Sequence, residues 1–197
     1  TQSDPLPAAP GLASLSKAAQ WFVNSRFLRD PNWPQSALNV SDAAEIGNPP
    51  DPSWPAGDGS LGIIETYNSA LNPDGTQMAR YAVRGDCNSE VAMAAAVNAK
   101  LNNDAGSGIL ANNLMDYIYF DSPLAQGVRG DPANPSYGLL CWFLPASYWG
   151  PSYWGDDNAR AILAGLAASV MLESERWNES ILRCILANFR TTGRYGF

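Results

Sequence analysis

Tyr148-Trp-Gly-Pro-Ser-Tyr-Trp-Gly-Asp-Asp-Asn-Ala-Arg160 is the stretch on which the reading of this chain turns. Four large aromatic residues, Tyr148, Trp149, Tyr153 and Trp154, sit among glycine and proline and run into the adjacent carboxylates Asp156 and Asp157. The apolar run that follows, Asn158 to Leu172, has the composition of a helix. Carboxylates at a helix start are favoured by unpaired backbone N–H groups and by the helix dipole. A sugar site needs that combination, a flat apolar surface for the C–H face and carboxyl groups for proton transfer. The plainer reading is that one aspartate caps the helix while the aromatics pack a loop.

Residues 158–172 are apolar nearly all round, which predicts a helix buried on every side. A second motif of the same kind precedes it. Arg84-Gly-Asp-Cys-Asn-Ser-Glu90 leads into the alanine-rich run Val91 to Leu101, with Asp86 or Asn88 as the expected cap. So many small residues predict close packing between neighbouring helices.

Helical spacing also marks Leu12 to about Leu28, with Ser14 or Ser16 as cap and Asp30-Pro31 as stop. Further helices are expected from Ser107 to about Tyr119 and from about Arg176 to Arg190. The last of these places Trp177, Ile181, Leu182, Ile185, Leu186 and Phe189 on one stripe. Residues 1–11 read as an extended Pro-rich arm, and 12–197 as one mainly α-helical domain. Between residues 30 and 60 lies a long connection dense in proline and glycine, of the kind pinned over a site. Ile63–Tyr67 and Met78–Val83, on either side of the turn Asn72-Pro-Asp-Gly75, predict a small β-hairpin.

Composition narrows the function classes. The chain has 197 residues, 46% of them hydrophobic and 16% charged, enough for a substantial core. A net charge of −7 argues against a nucleic-acid partner. No apolar run is long enough to cross a bilayer, so no membrane role is expected. There are no histidines, which removes Ser-His-Asp and Cys-His catalysis and imidazole-held zinc together. Carboxylates remain as the natural proton carriers. No cofactor and no metal set is assigned; Asp58-Gly-Ser lacks the ligand density of a calcium loop.

Asn39-Val-Ser and Asn178-Glu-Ser are glycosylation sequons, and with scarce lysine and an acidic balance they point to a secreted protein. The three cysteines fit either one disulfide, with Cys87–Cys141 the expected pair, or three reduced residues, with Cys184 in the core.

The alternation of helices, with Trp-Gly-Asp-Asp-Asn-Ala-Arg160 and Arg-Gly-Asp-Cys-Asn-Ser-Glu90 at helix starts, resembles the six-hairpin glycosidase superfamily, the (α/α)6 toroids. The resemblance spans roughly residues 57–197. It implies two concentric helical layers and a central sugar cleft, with acidic residues at the inner helix ends. A full toroid needs more helices than this chain supplies. The chain therefore reads as the N-terminal half of a longer polypeptide, as one completed by a partner chain, or as a subunit whose identical neighbours cover the apolar helices.

Glycoside hydrolysis takes two carboxyl groups. Glu65, Asp86, Glu90, Asp156 and Asp157 are the candidates, with Asp86 and one of Asp156/Asp157 as the expected pair. Asp157 reads as the cap and Asp156 as the freer acid, with the reverse assignment open. Trp149, Tyr153 and Trp154 would be the stacking platform, and Arg160 would hold the acids or meet an anionic sugar. Two functions follow: a hydrolase or lyase acting on carbohydrate, and a non-catalytic extracellular module that binds glycan or builds an assembly.

Overall fold

The computed structural model describes residue 5 and residues 8–38, 47–66, 72–144 and 153–193. Helix α1 spans Pro10–Asn24, α2 Gln35–Leu38, α3 Gly85–Asn102, α4 Ala105–Asp116, α5 Gly155–Met171 and α6 Asn178–Thr191. Strands β1 (Ile64–Thr66), β2 (Ala79–Arg84) and β3 (Phe143–Leu144) form one antiparallel sheet in the order β1-β2-β3. The chain is thus mainly helical with a small sheet, and the expected hairpin is its β1–β2 pair. Ile64 faces Val83 and Glu65 faces Arg80, with a register irregularity between Ile64 and Glu65. None of the described helices is long and apolar enough to cross a membrane.

Several helix ends differ from the sequence reading for local reasons. The helix α1 starts at Pro10, inside the expected arm, because Ala9 takes a left-handed φ of 50° and Pro10 supplies the first-turn φ without needing an N–H partner. Neither Ser14 nor Ser16 caps it. Its end comes well before Asp30, where Arg26 at φ 63° reverses the chain and Arg26 Nε donates to the Trp54 carbonyl at 2.8 Å. At α3 the cap position is Arg84, without a side-chain cap, so Asp86 and Asn88 are released for other partners. Asp104 caps α4, accepting from the Ser107 backbone N–H at 3.2 Å, so that helix begins before Ser107. A π-helical turn, Tyr117–Asp121, extends its end.

Two αα-hairpins, α3/α4 and α5/α6, make the body, and their first helices, α3 and α5, pack against each other. Ion pairs at both ends show that they run parallel. Arg160 near the start of α5 meets Asp86 and Glu90 near the start of α3, and Lys100 near the end of α3 meets Glu173 just past α5. Close approach is possible because the buried faces are small: Ala92, Ala95 and Ala96 on α3, and Ala161, Ala164, Gly165 and Ala168 on α5. A Cβ at Gly165 would stand 2.8 Å from the Tyr119 hydroxyl.

Each hairpin is locked to the segment before it by one buried asparagine. Asn88 Oδ1 accepts from the Ile63 N–H at 2.9 Å, and its Nδ2 donates to the carbonyls of Ile63 and Arg84. Asn158 Oδ1 accepts from the Leu140 N–H at 2.8 Å, and its Nδ2 donates to the carbonyls of Leu140 and Trp154. The same residue, at the same place in its helix, bridges one backbone residue on both sides in each hairpin.

The expectation that helix 158–172 is buried on all sides is overturned. Leu163, Leu166 and Val170 of α5 are exposed, as are Leu182, Leu186 and Phe189 of the stripe on α6. Trp177, Ile181 and Cys184 are buried as expected. All three cysteines are free thiols, so no Cys87–Cys141 bridge exists.

Trp33 and Trp54, from the described parts of the proline-rich connection, lie over the sheet face opposite the acids. Along β2 the side chains alternate, so Tyr81 joins Trp33 and Trp54 in an aromatic cluster while Arg80 and Arg84 turn the other way. Trp33 is buried and donates its indole N–H to the Pro55 carbonyl at 2.9 Å.

Candidate functional site

The N-terminal ends of α3 and α5 meet the end of β2, and Arg84 stands at that junction. Its Nη1 donates to Glu65 Oε1 at 2.9 Å, its Nε to Asp86 Oδ1 at 3.1 Å, and its Nη2 to Asp86 Oδ2 at 2.9 Å. The same Nη2 donates to Asp157 Oδ1. Residues of β1, β2, α3 and α5 come together here, and β2 runs straight into α3, with Arg84 as the last strand residue and the cap position. Arg80, four residues earlier on the same strand face, reaches Glu65 Oε2 at 3.4 Å.

Three of the five expected acids therefore share one guanidinium. Asp86 and Asp157 form the expected cross-helix pair, and two of their oxygens lie within two hydrogen-bond lengths of each other through Arg84 Nη2. The assignment between Asp156 and Asp157 is corrected. Asp157 is buried and bound to Arg84 rather than capping α5, whose cap position, Trp154, makes no side-chain cap bond. Asp156 is exposed in the first turn. Glu90 lies one turn further into α3 and takes both arms of Arg160, Nε and Nη2, each at 2.9 Å. Arg160 Nη1 also pairs with Asp86 at 3.1 Å. Arg160 thus positions the acids, with its side chain about half exposed (48%).

Protonation follows from this packing. Burial, then the hydrogen bond that the protonated Asp86 carboxyl donates to Asp157, pushes Asp86 up to about 6 against the opposing pull of Arg84. Burial alone would lower the Arg84 pKa, but the Glu65 hydrogen bond and the neighbouring aspartates raise it, so its charge is fixed. Burial, reinforced by the Asp86 charge, pushes the Cys87 thiol up to about 12, which makes it a poor nucleophile.

Aromatic rings stand over the charged floor. Trp142 lies across the Arg84 guanidinium at 5.6 Å, a cation–π contact. Trp154 packs edge-on against Trp142 at 5.7 Å and is itself 50% exposed. Tyr153 is exposed beside it. Trp149 and the sequon residue Asn39 lie outside the described residues. Asn178 of the second sequon is exposed at the first position of α6.

Arg84 and Trp142 are the site residues that the sequence reading left without a role. Arg84 had a signal: an arginine that ends a strand two residues before a helix-start aspartate has few places to put its charge. Trp142 had none, since its contact depends on β3 pairing with β2. Within the Arg84-Gly-Asp86 triplet, Asp86 is 2% exposed. Asp58 spends its carboxylate on the Ser60 N–H and hydroxyl. Among the described residues no group of His, Cys, Asp and Glu is arranged to hold a metal ion.

Comparison of the chain with protein-family models, with curated proteins and with solved structures gives no match in any of the three. The functional argument therefore rests on the site itself.

Proposed function

We propose that this is an extracellular carbohydrate-active protein of glycoside-hydrolase type, with its sugar cleft at the N-terminal ends of α3 and α5. The observation that carries the reading is the Asp86–Asp157 pair. Two carboxyls from parallel helices converge on Arg84 beneath Trp142, against which the exposed Trp154 packs, and burial pushes the Asp86 carboxyl up to about 6. Pairs of acids whose environments separate their protonation are how one site supplies both a proton donor and a charged carboxylate. In this reading Asp86, with its raised pKa, is the proton donor, Asp157 is the second carboxyl group, and Arg84 and Glu65 fix their positions. Trp154 and Trp142 offer the apolar faces on which a sugar ring stacks. The pair is closer than the roughly 6.5–9.5 Å that leaves room for water in inverting glycosidases.

A second reading has its own support. Arg84 occupies the carboxylates, and Asp86 is 2% exposed, which suits a rigid floor beneath a glycan-binding surface without turnover.

Hydrolysis of a panel of aryl glycosides and oligosaccharides across pH 4–8 decides between them. The expected result is turnover that falls by about 100-fold or more in Asp86→Asn and Asp157→Asn, the scale of general acid–base catalysis. Trp154→Ala should raise KM with little change in kcat. Glycan binding that depends on Trp154, without turnover, would select the second reading. Neither binding nor turnover of any sugar would sink both.

A further inference from the structure

We propose that the cavity between α1, β1 and the start of α3 binds an uncharged aromatic ring, the apolar part of a ligand whose polar part lies at the acid cluster.

The cavity has a volume of about 230 Å³ and is lined by Phe22 of α1, by Phe27, Ile63 and Ile64, and by Val91 of α3. Phe27, Ile63, Ile64 and Val91 are buried. Phe22 and Cys87, which also lines the space, are only half-buried, so the cavity is not sealed.

The lining offers a ligand few polar partners. The Ile63 N–H and carbonyl are both bonded to Asn88, and the Ile64 N–H donates to the Phe27 carbonyl at 3.0 Å. Glu90 is the only charged residue of the lining, and each of its carboxylate oxygens accepts from Arg160 at 2.9 Å. A hydroxyl or a charge that entered would give up water without gaining a partner, whereas an apolar group gives up nothing of the kind.

A ring suits both the size and the walls. An apolar cavity of about 150 Å³ takes benzene, so this one has room for a six-membered ring and the atom that links it to the rest of a ligand. Two phenylalanines can meet such a ring edge to face, and the Cys87 sulfur is polarizable.

The surroundings say where the rest of the ligand goes. Ile64 precedes Glu65, Cys87 follows Asp86, and Glu90 holds the Arg160 that pairs with Asp86 at 3.1 Å. Three lining residues are thus direct neighbours of the acid cluster, and the charged groups nearest to a seated ring belong to that cluster. In a glycoside the ring is the aglycone. That assignment rests on the function proposed above; entry of an apolar ring does not.

The test reads Cys87, the one cysteine of the three that is not buried. The intact chain is treated with methyl methanethiosulfonate, a small uncharged thiol reagent, in mildly alkaline buffer, and peptide mapping follows each cysteine. Benzene should slow the modification of Cys87 along a saturation curve, about tenfold at ten times its Kd, where only about a tenth of the sites is free. Glycerol at the same concentration should leave that rate unchanged, and benzene should leave Cys141 and Cys184 unchanged. No slowing by benzene, or equal slowing at all three cysteines, overturns the proposal. Phenyl glycosides should protect Cys87 at lower concentration than benzene or the matching methyl glycosides. Protection by benzene with no advantage for any phenyl glycoside keeps the ring site and removes the sugar from it. Glycoside turnover without protection by benzene keeps the enzyme and removes the ring site.

Discussion

The α3/α4 hairpin is flanked by α1 on one side and by α5 on the other, while α5/α6 packs mainly through α3 and along its own two helices. Both begin with glycine, both carry an aspartate in the first turn, and both are tied down by a buried asparagine on a single backbone residue. Their first turns are equivalent, yet their outer surroundings are not. The difference teaches that anchoring and covering are separate matters. Local hydrogen bonds fix where each helix starts, whereas apolar contact along its length depends on what lies beside it. The acid cluster belongs to the anchored part, where the two hairpins meet.

The comparison breaks hardest at Arg84, which joins the two hairpins through Asp86 and Asp157. Arg84→Met leaves buried carboxylates without their counter-charge and should cost about 3–5 kcal/mol at neutral pH. Urea denaturation measures the loss, and it should shrink in acid as the carboxyls take up protons. An unchanged midpoint would mean that the hairpins are held together elsewhere.

The equivalence of the anchors is sharpened by Asn88→Ala and Asn158→Ala. Each strands a buried N–H and carbonyl, of Ile63 and of Leu140 respectively, and each should cost about 2–3 kcal/mol. Similar losses for the two would establish them as copies of one device. A mild effect at Asn158 alone would show that the second hairpin is anchored by other contacts.

A smaller effect separates the acids themselves. The Asp86 pKa is about 6 in the folded chain against an ordinary 3.8, so folding favours its protonated form. Its stabilisation is full below the ordinary value and is lost as pH rises through about 6. Thermal unfolding between pH 4 and 6.5 should show Tm falling with pH, and Asp86→Asn should flatten that slope. A slope unaltered by the substitution would assign it to another group.

Much of this was legible in the chain. The absence of histidine, the acids at two helix starts, the alanine-rich inner helices and the small hairpin all follow from residue type and spacing, because propensity and periodicity act within a few residues. The pairing of Asp86 with an aspartate of the second motif was also readable, since both motifs open helices. Which aspartate it would be was not. Asp156 and Asp157 are adjacent, and the direction each faces depends on the rotation of α5 against α3. The buried asparagines were visible in both motifs, but their partners Ile63 and Leu140 lie 18 to 25 residues away.

The sequence by itself determined the helices, their small inner faces and the chemistry available to the site, because these are properties of short stretches and of composition. Only the tertiary structure decided that Arg84 gathers Glu65, Asp86 and Asp157, and that Trp142 lies over it, because those contacts join strands and helices far apart in the chain. It decided, too, that an all-apolar helix has a bare side. Periodicity can show that a face is apolar, but the neighbour that covers it is set by the packing of whole elements.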